Sequence, residues 1–268
     1  MKKFMAGKQT DLALEFDSPI TTEAENKFLK RTVVNVDEAY AKKIGKAAGQ
    51  YITVETKAVR EGSKSGYGRV SAEIAQAIVK LADCKSCMVV GLGNPNLTAD
   101  ALGKYVTDRI LITRHIQQKG IPAVSAVCPN VLGVTGIESF DVVKGVVQRV
   151  KPECIIAVDS LAGAAAERIA SAFQISNAGI TPGSGVSNHR ARLDKQSLGC
   201  TVISLGVPLV VYASTLIEDA FAGKAGRYDP NIGAMLVTPK DVDLYVTDCA
   251  DIIARAINLA FFGNATPI

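Results

Sequence analysis

Four apolar runs limit what this chain can fold into: "CMVVGLGN" from Cys87, "IPAVSAV" from Ile121, "ECIIAVD" from Glu153 and "CTVISLG" from Cys200. A strand with one wet face alternates apolar and polar residues, whereas these are apolar on both sides. Both of their faces must therefore be covered. Between them lie stretches with helical spacing, including "RVSAEIAQAIVKLADC", "TADALGKYVTDRILITRHI", "GIESFDVVKGVVQRV", "LAGAAAERIASAF" and "VTDCADIIARAINLAFF". Strands alternating with amphipathic helices predict an α/β protein, a mainly parallel sheet in a three-layer α/β/α sandwich. Upstream, "RTVVNV" and "YITVET" read as strands flanking a helix "DEAYAKKIGKAAG" closed by Gly49.

Composition agrees with an aliphatic core. Of 268 residues 48% are hydrophobic and none is Trp, and a chain of this length can bury one large core. No repeat or low-complexity linker marks a boundary inside it. The formal charge of +4 is small and scattered, which argues against a nucleic-acid surface. "MKKF" resembles the start of a signal peptide, but Lys8 and Asp11 interrupt the apolar run that should follow. With no run of membrane-spanning length, a soluble, cytoplasmic protein is expected. The six cysteines lie mostly in apolar runs and are expected to be reduced, buried thiols. "CKSC" at Cys84 and Cys87 lacks the second pair or nearby His of a zinc site and reads as a linker.

In a parallel sheet, chemistry gathers where loops leave the carboxyl ends of strands. "GLGNPNLTAD", Asp159 and "NAGITPGSGVSNHR" are expected there. The first is not a dinucleotide fingerprint, since Asn94, Pro95 and Asn96 follow Gly93 where a third Gly would be needed. Asp100 opens a helix, capped by Thr98 or Asn96, whose dipole favours the anion. Asp159 closes an apolar run, where burial favours the neutral acid. Two carboxylates pushed apart in this way can divide base and acid roles. His115 and His189 lack metal-ligand spacing, and Ser184 in "PGSGV" lacks the first Gly of a nucleophile elbow.

Taken in order, "GKAAGQYITVE", "GLGN", "TADALG", "TRH", "GVTGIES", "IAVDSLA", "QISNAGITPGSGVSN", "LGVPLVV" and "VTPKDVD" resemble the germination protease (spore protease) family of spore-forming bacteria. That resemblance implies a hydrogenase-maturation-peptidase-like α/β/α fold and an atypical aspartic peptidase with no cofactor and no metal. It implies a zymogen and homotetramer of the spore core that degrades small acid-soluble spore proteins during germination. By motif it places the catalytic aspartates on Asp100 and Asp159; Asn94, Ser184 and Asn188, in the loops expected at the same strand ends, are expected to line the site. The family's substrates are cut after the second Glu of a Thr-Glu-apolar-Ala-small-Glu-apolar motif.

"TDLALEF", from Thr10 to Phe16, follows that motif closely. Autocleavage is therefore expected between Glu15 and Phe16, dividing the chain into a propeptide 1–15 and a peptidase domain 16–268, and the chain from Met1 is expected to be the uncut precursor. As a cleavage segment, "QTDLALEF" is expected to present an extended backbone. Compared with the family, the bridge "AGKAGRYDPNIGA" is short, Tyr212 replaces an Asp, and His189 stands where a basic residue is usual. A metal-dependent maturation-type peptidase and a non-catalytic peptide- or nucleotide-binding α/β protein are the alternatives.

Overall fold

Strand residues alternate between the two faces of a sheet, so each strand contributes to two layers of packing at once. In the computed structural model, which describes residues 10–16, 20–116, 118–183, 191–221 and 228–263, the strands are β1 (Ile20–Glu25), β2 (Lys30–Val36), β3 (Gly49–Glu55), β4 (Ser86–Gly91), β5 (Ala123–Val127), β6 (Cys154–Gly163), β7 (Ala172–Ser176), β8 (Thr201–Tyr212) and β9 (Leu236–Val237). They form one sheet in the order β1-β2-β3-β7-β8-β6-β4-β5, with β9 on β8. The half from β8 to β5 is parallel, built from the four apolar runs. The half from β1 through β7 to β8 is antiparallel.

One face is covered by α2 (Lys64–Leu81), α3 (Leu102–Thr107) and α5 (Val242–Phe262). Their Val70, Ile74, Leu102, Ile253 and Ile257 join Ile52, Phe173, Ile156, Val158 and Leu205 in the largest apolar cluster. On the other face α4 (Ser139–Val150) lays Val143 and Val147 over Met88, Val90 and Ile155 of the parallel half. Over the antiparallel half this third layer is completed by α1 (Glu38–Ile44) and by the N-terminal segment. Leu12, Ala13 and Leu14 are buried there among Val34, Val36, Tyr51, Leu161 and Ala172. Among the described residues no helix is long and apolar enough to cross a membrane.

The structure departs from the sequence reading at several points. Helix α1 ends at Gly45, whose φ of +69° supplies the left-handed cap, while Gly49 opens β3. The Ala-rich stretch 161–173 is not a helix. Residues Leu161 to Gly163 instead extend β6 along Pro208 to Val211 of β8, and a short 3-10 turn, Ala166–Arg168, leads into β7. The long apolar edge of β8 needs a paired neighbour, and that requirement overrides Ala's helix propensity. Helix α3 stops at Thr107, and neither Thr98 nor Asn96 caps it. The cysteines are not all thiols. Cys84 is bonded to Cys154, because the register that places Cys87 beside Cys154 brings the turn before β4 against the start of β6. Cys87, Cys128, Cys200 and Cys249 are free.

Candidate active site

Close backbone approach at three glycines builds the first part of the site. Gly91 ends β4 level with Val158, and Leu92 N–H donates to the Val158 carbonyl at 2.8 Å, so the chain leaves β4 beside Asp159. A Cβ at Gly91 would lie 2.4 Å from the Gly103 carbonyl oxygen, and one at Gly103 would lie 2.4 Å from that of Leu92, so α3 crosses the end of β4 in direct backbone contact. The loop returns in a 3-10 turn, Thr98–Asp100, immediately ahead of α3. Gly93, with φ +94°, leaves the space that the Asp100 carboxyl and carbonyl fill; a Cβ there would be 2.1 Å from the Asp100 carbonyl oxygen.

Asp100 is thus held by the loop that precedes it. The Asn94 N–H donates to Asp100 Oδ2 at 2.6 Å. Burial raises the Asp100 pKa, and the Asn94 N–H pulls the other way by bonding the anion. The Asn94 side chain folds back to accept from Asn96 N–H at 3.0 Å. Asn94 therefore serves Asp100 through its backbone.

Asp159 lies in the middle of β6, level with Gly206 of β8, because β6 runs four residues beyond it. It is 8% exposed. Burial pushes its pKa well above the ordinary carboxylate value, the charges of Asp100 and Asp11 add to this, and the Ser160 N–H, 2.9 Å from Oδ1, opposes it. The two sequence-predicted aspartates are therefore within electrostatic reach of each other, and burial shifts both toward the protonated form, Asp159 the further.

Asp11 belongs to the N-terminal segment, which docks alongside β6. Its N–H donates to the Ala162 carbonyl at 2.9 Å, and its Oδ2 accepts the Ala162 N–H at 2.9 Å. Lys46 lies 3.6 Å from Asp11 Oδ1. The Gln174 side chain, level with Asp159 across β8, accepts from Ala13 N–H at 2.7 Å and donates to the Asp11 carbonyl at 3.1 Å. Glu15 Oε2 accepts the Ala164 N–H at 2.9 Å, its Oε1 lies 3.3 Å from Arg168 Nε, and the Thr10 hydroxyl donates to it as well. The segment is not extended throughout: Leu12 and Phe16 are, but Ala13–Glu15 form a 3-10 turn closed by Phe16 N–H to the Ala13 carbonyl at 3.4 Å. A short segment buried against a sheet must satisfy its own backbone groups where no strand partner reaches them.

Sequence reasoning did not single out Lys46, Arg168 or Gln174. A Gln inside the apolar run "AFQIS" was the available signal, since a polar side chain there must have a specific partner. Ser184, Asn188 and His189 lie outside the described residues. Among the described residues no three His, Cys, Asp or Glu side chains are grouped to hold a metal ion.

Comparison with known proteins places this geometry in context. The chain is 38% identical to the germination protease of Caldanaerobacter subterraneus subsp. tengcongensis over 95% of its own length and 94% of that protein. It is 35% identical to that of Clostridium perfringens strain ATCC 13124 (87% and 85%), and 40% identical to that of Bacillus subtilis strain 168 (81% and 63%). Among solved structures, a NiFe hydrogenase maturation protease, HycI, from Thermococcus kodakarensis aligns with a TM-score of 0.40 and 17% identity over 68% of this chain and 99% of that one. Residues 4–223 match the germination protease family as a whole, and the chain belongs to that family of peptidases.

Proposed function

We propose that this protein is an aspartic endopeptidase made as a zymogen, with residues 1–15 as its propeptide and 16–268 as its peptidase domain. It removes the propeptide by cutting between Glu15 and Phe16, and then degrades small acid-soluble proteins in the spore core during germination, as a homotetramer. The observation that carries the reading is the pair of unlike carboxylates. Asp159 is buried, with its pKa pushed well above the ordinary carboxylate value, whereas the Asn94 N–H donated to Asp100 works against the milder upward shift there and favours its anion. Such a pair can supply a base and an acid at one pH.

In this scheme Asp100 takes a proton from a water molecule as its oxygen attacks the carbonyl carbon. Asp159 gives its proton to the carbonyl oxygen, stabilising the tetrahedral intermediate. The intermediate collapses as the C–N bond breaks: Asp100 passes its proton to the departing amine nitrogen, and Asp159 takes back a hydroxyl proton as the carbonyl reforms, which returns both carboxyls to their starting states. One water is consumed and one acid and one amine are released. In the docked segment the Phe16 N–H is tied into the 3-10 turn, so the Glu15–Phe16 peptide must unwind before it can lie across the two aspartates. The buried segment is in that sense a restrained substrate, which suits a precursor.

Incubation of the 268-residue chain under mildly acidic conditions, followed by mass determination of the N-terminus, tests the proposal. Loss of residues 1–15 is expected, and a mature N-terminus elsewhere overturns the cut site. If folded Asp100→Asn and Asp159→Asn variants both process at the parent rate, the catalytic scheme is wrong. The processed protein should then digest a small acid-soluble spore protein after Glu, and failure to do so removes the substrate assignment.

A further inference from the structure

Successive side chains of a strand point to opposite sides of its sheet, which sorts the end of β6 into two faces. Cys154, Ile156 and Val158 join the apolar cluster beneath α2, α3 and α5, whereas Ile155, Ala157 and Leu161 pack on the other side. Asp159 therefore shares the side on which the N-terminal segment lies, and Ser160 shares the side of Val158. Level with Ser160 on β8 is Val207, a member of the same cluster as Val158. A hydroxyl stands where the strand otherwise supplies an apolar group.

That hydroxyl is unused. Ser160 Oγ is shielded from solvent and has no hydrogen-bond partner among the described residues, while the Ser160 N–H is taken up by Asp159 Oδ1 at 2.9 Å. Ser160 as a whole is only partly buried, so its hydroxyl lies just beneath the surface and not in the core. Asp100 approaches from the same side. Gly91 is level with Val158 and Leu92 N–H bonds the Val158 carbonyl, which carries Gly93 toward the level of Ser160. The space over Gly93 is filled by Asp100, and the turn Thr98–Asp100 lies against β6, β8 and α5. A buried hydroxyl without a partner destabilises the fold relative to an apolar residue of similar size, unless something that enters the site uses it.

Resting on the catalytic reading above, we propose that Ser160 is a positioning residue for the reaction: its hydroxyl and the Asp100 carboxylate together hold the attacking water. One proton of that water points to the carboxylate and the other to Ser160 Oγ, which leaves a lone pair of the water oxygen for the carbonyl carbon. Only the first proton is transferred, to Asp100. Ser160 forms no covalent bond and keeps its own proton throughout. Consecutive residues of one strand then serve the two reactants, Asp159 the carbonyl and Ser160 the water. Hydrogen bonds of this kind close only when water and peptide are both in place.

The test sets processing of the 268-residue chain against its melting temperature, the latter measured in the Asp159→Asn background to prevent cleavage. Ser160→Ala is expected to slow release of the fragment starting at Phe16 roughly 10–100-fold, and to raise the melting temperature by about 2–4 °C because an unpaired buried hydroxyl is gone. A hydroxyl with a purely structural role gives the opposite sign, since its loss lowers the melting temperature. Ser160→Thr and Ser160→Val have the same shape and differ in the hydroxyl, so their comparison holds whatever the added methyl does to packing. The Thr variant should process at least about tenfold faster than the Val variant. A lower melting temperature for Ser160→Ala, processing by it at the parent rate, or equal rates for Thr and Val overturns the proposal, and the aspartates stand if Asp100→Asn still abolishes processing. A parent that does not process, or that processes no faster than Asp100→Asn, contradicts the catalytic reading and removes the role of Ser160 with it.

Discussion

Asp11 and Ala162 exchange two hydrogen bonds across 151 positions of chain, one from each N–H, both 2.9 Å long. Ala162 is three residues beyond Asp159 on the same strand, so the N-terminal segment is tied to the strand that carries the buried carboxylate. The attachment continues into Leu12, which has no exposed surface. Leu12→Ala should lower the unfolding free energy of the 268-residue chain by about 2–5 kcal/mol if the segment unfolds with the rest of the sheet. Urea unfolding measures this, in the Asp159→Asn background to prevent cleavage. A change below about 0.5 kcal/mol would mean that the segment undocks before the domain unfolds.

Removing residues 1–15 should leave Val34, Val36, Tyr51 and Leu161 without the cover of Leu12 and Leu14. The processed protein is therefore expected to bind a fluorescent apolar dye more strongly than the precursor and to melt at a lower temperature. Equal dye binding before and after processing would mean that another segment closes over this surface.

Asp159→Asn should stabilise the protein while disabling it. The pKa of Asp159 is raised above its ordinary 3.8 by burial and by the neighbouring charges of Asp100 and Asp11. Between that value and the raised one, the folded state binds more protons than the unfolded state, so the contribution of Asp159 to stability falls as pH rises. Asn removes this dependence and can still accept the Ser160 N–H. The variant should melt a few degrees above the parent at pH 7, a scale of about 2–4 °C per kcal/mol for a chain of this size. The advantage should vanish below about pH 4, where both states of the parent are protonated. Processing should fall roughly 10²–10⁴-fold. A melting difference that does not change with pH would show that Asp159 is not held neutral.

The parallel half of the sheet was legible because burial on both faces leaves a nearly uninterrupted apolar run, and β4, β5, β6 and β8 are each built on such a run. Asp100 and Asp159 stood out for a related reason, as charges at the ends of apolar or Gly-rich stretches. What was not legible depends on long-range pairing. No local signal makes "LAGAAAERIASAF" a strand and a turn; the length of β8 does. Arg168 and Lys46 are ordinary surface cations until Glu15 and Asp11 are brought to them from more than thirty residues away. The winding of Ala13–Glu15 likewise goes with their burial against the sheet, which no local pattern announces.

Gly93→Ala should separate folding from chemistry. The backbone at Gly93 has φ +94°, and a Cβ would lie 2.1 Å from the Asp100 carbonyl oxygen and 2.8 Å from its Oδ1. The alanine must therefore displace the 3-10 turn that holds Asp100, while Asp159, supported by β6, stays in place. Loss of processing by at least about a hundredfold is expected, with a stability loss of about 1–3 kcal/mol from the strained backbone. The Gly133→Ala variant, with nothing within 4 Å of the added carbon, serves as control. Parent-level processing in folded Gly93→Ala would mean that the position of Asp100 is not critical.

The Cys84–Cys154 bond closes a span with a sequence separation of 70 that contains β4, Asp100, α3, β5 and α4. Cross-linking a loop of that length stabilises the folded state by about 4 kcal/mol through the lost entropy of the unfolded chain. Reduction, or Cys84→Ser, is therefore expected to lower the melting temperature by about 10 °C. The bond lies at the opposite end of β4 from the aspartates, with Cys154 level with Cys87 and Val158 level with Gly91. The sheet register there is also held by backbone hydrogen bonds that do not require the disulfide. Processing well below the melting temperature should accordingly change less than about twofold on reduction. Thiol counting before and after reduction checks the premise directly: four free thiols in the unfolded, unreduced protein and six after reduction. Six at the outset, or a melting temperature indifferent to reductant, would show that the two cysteines are packed together without a bond.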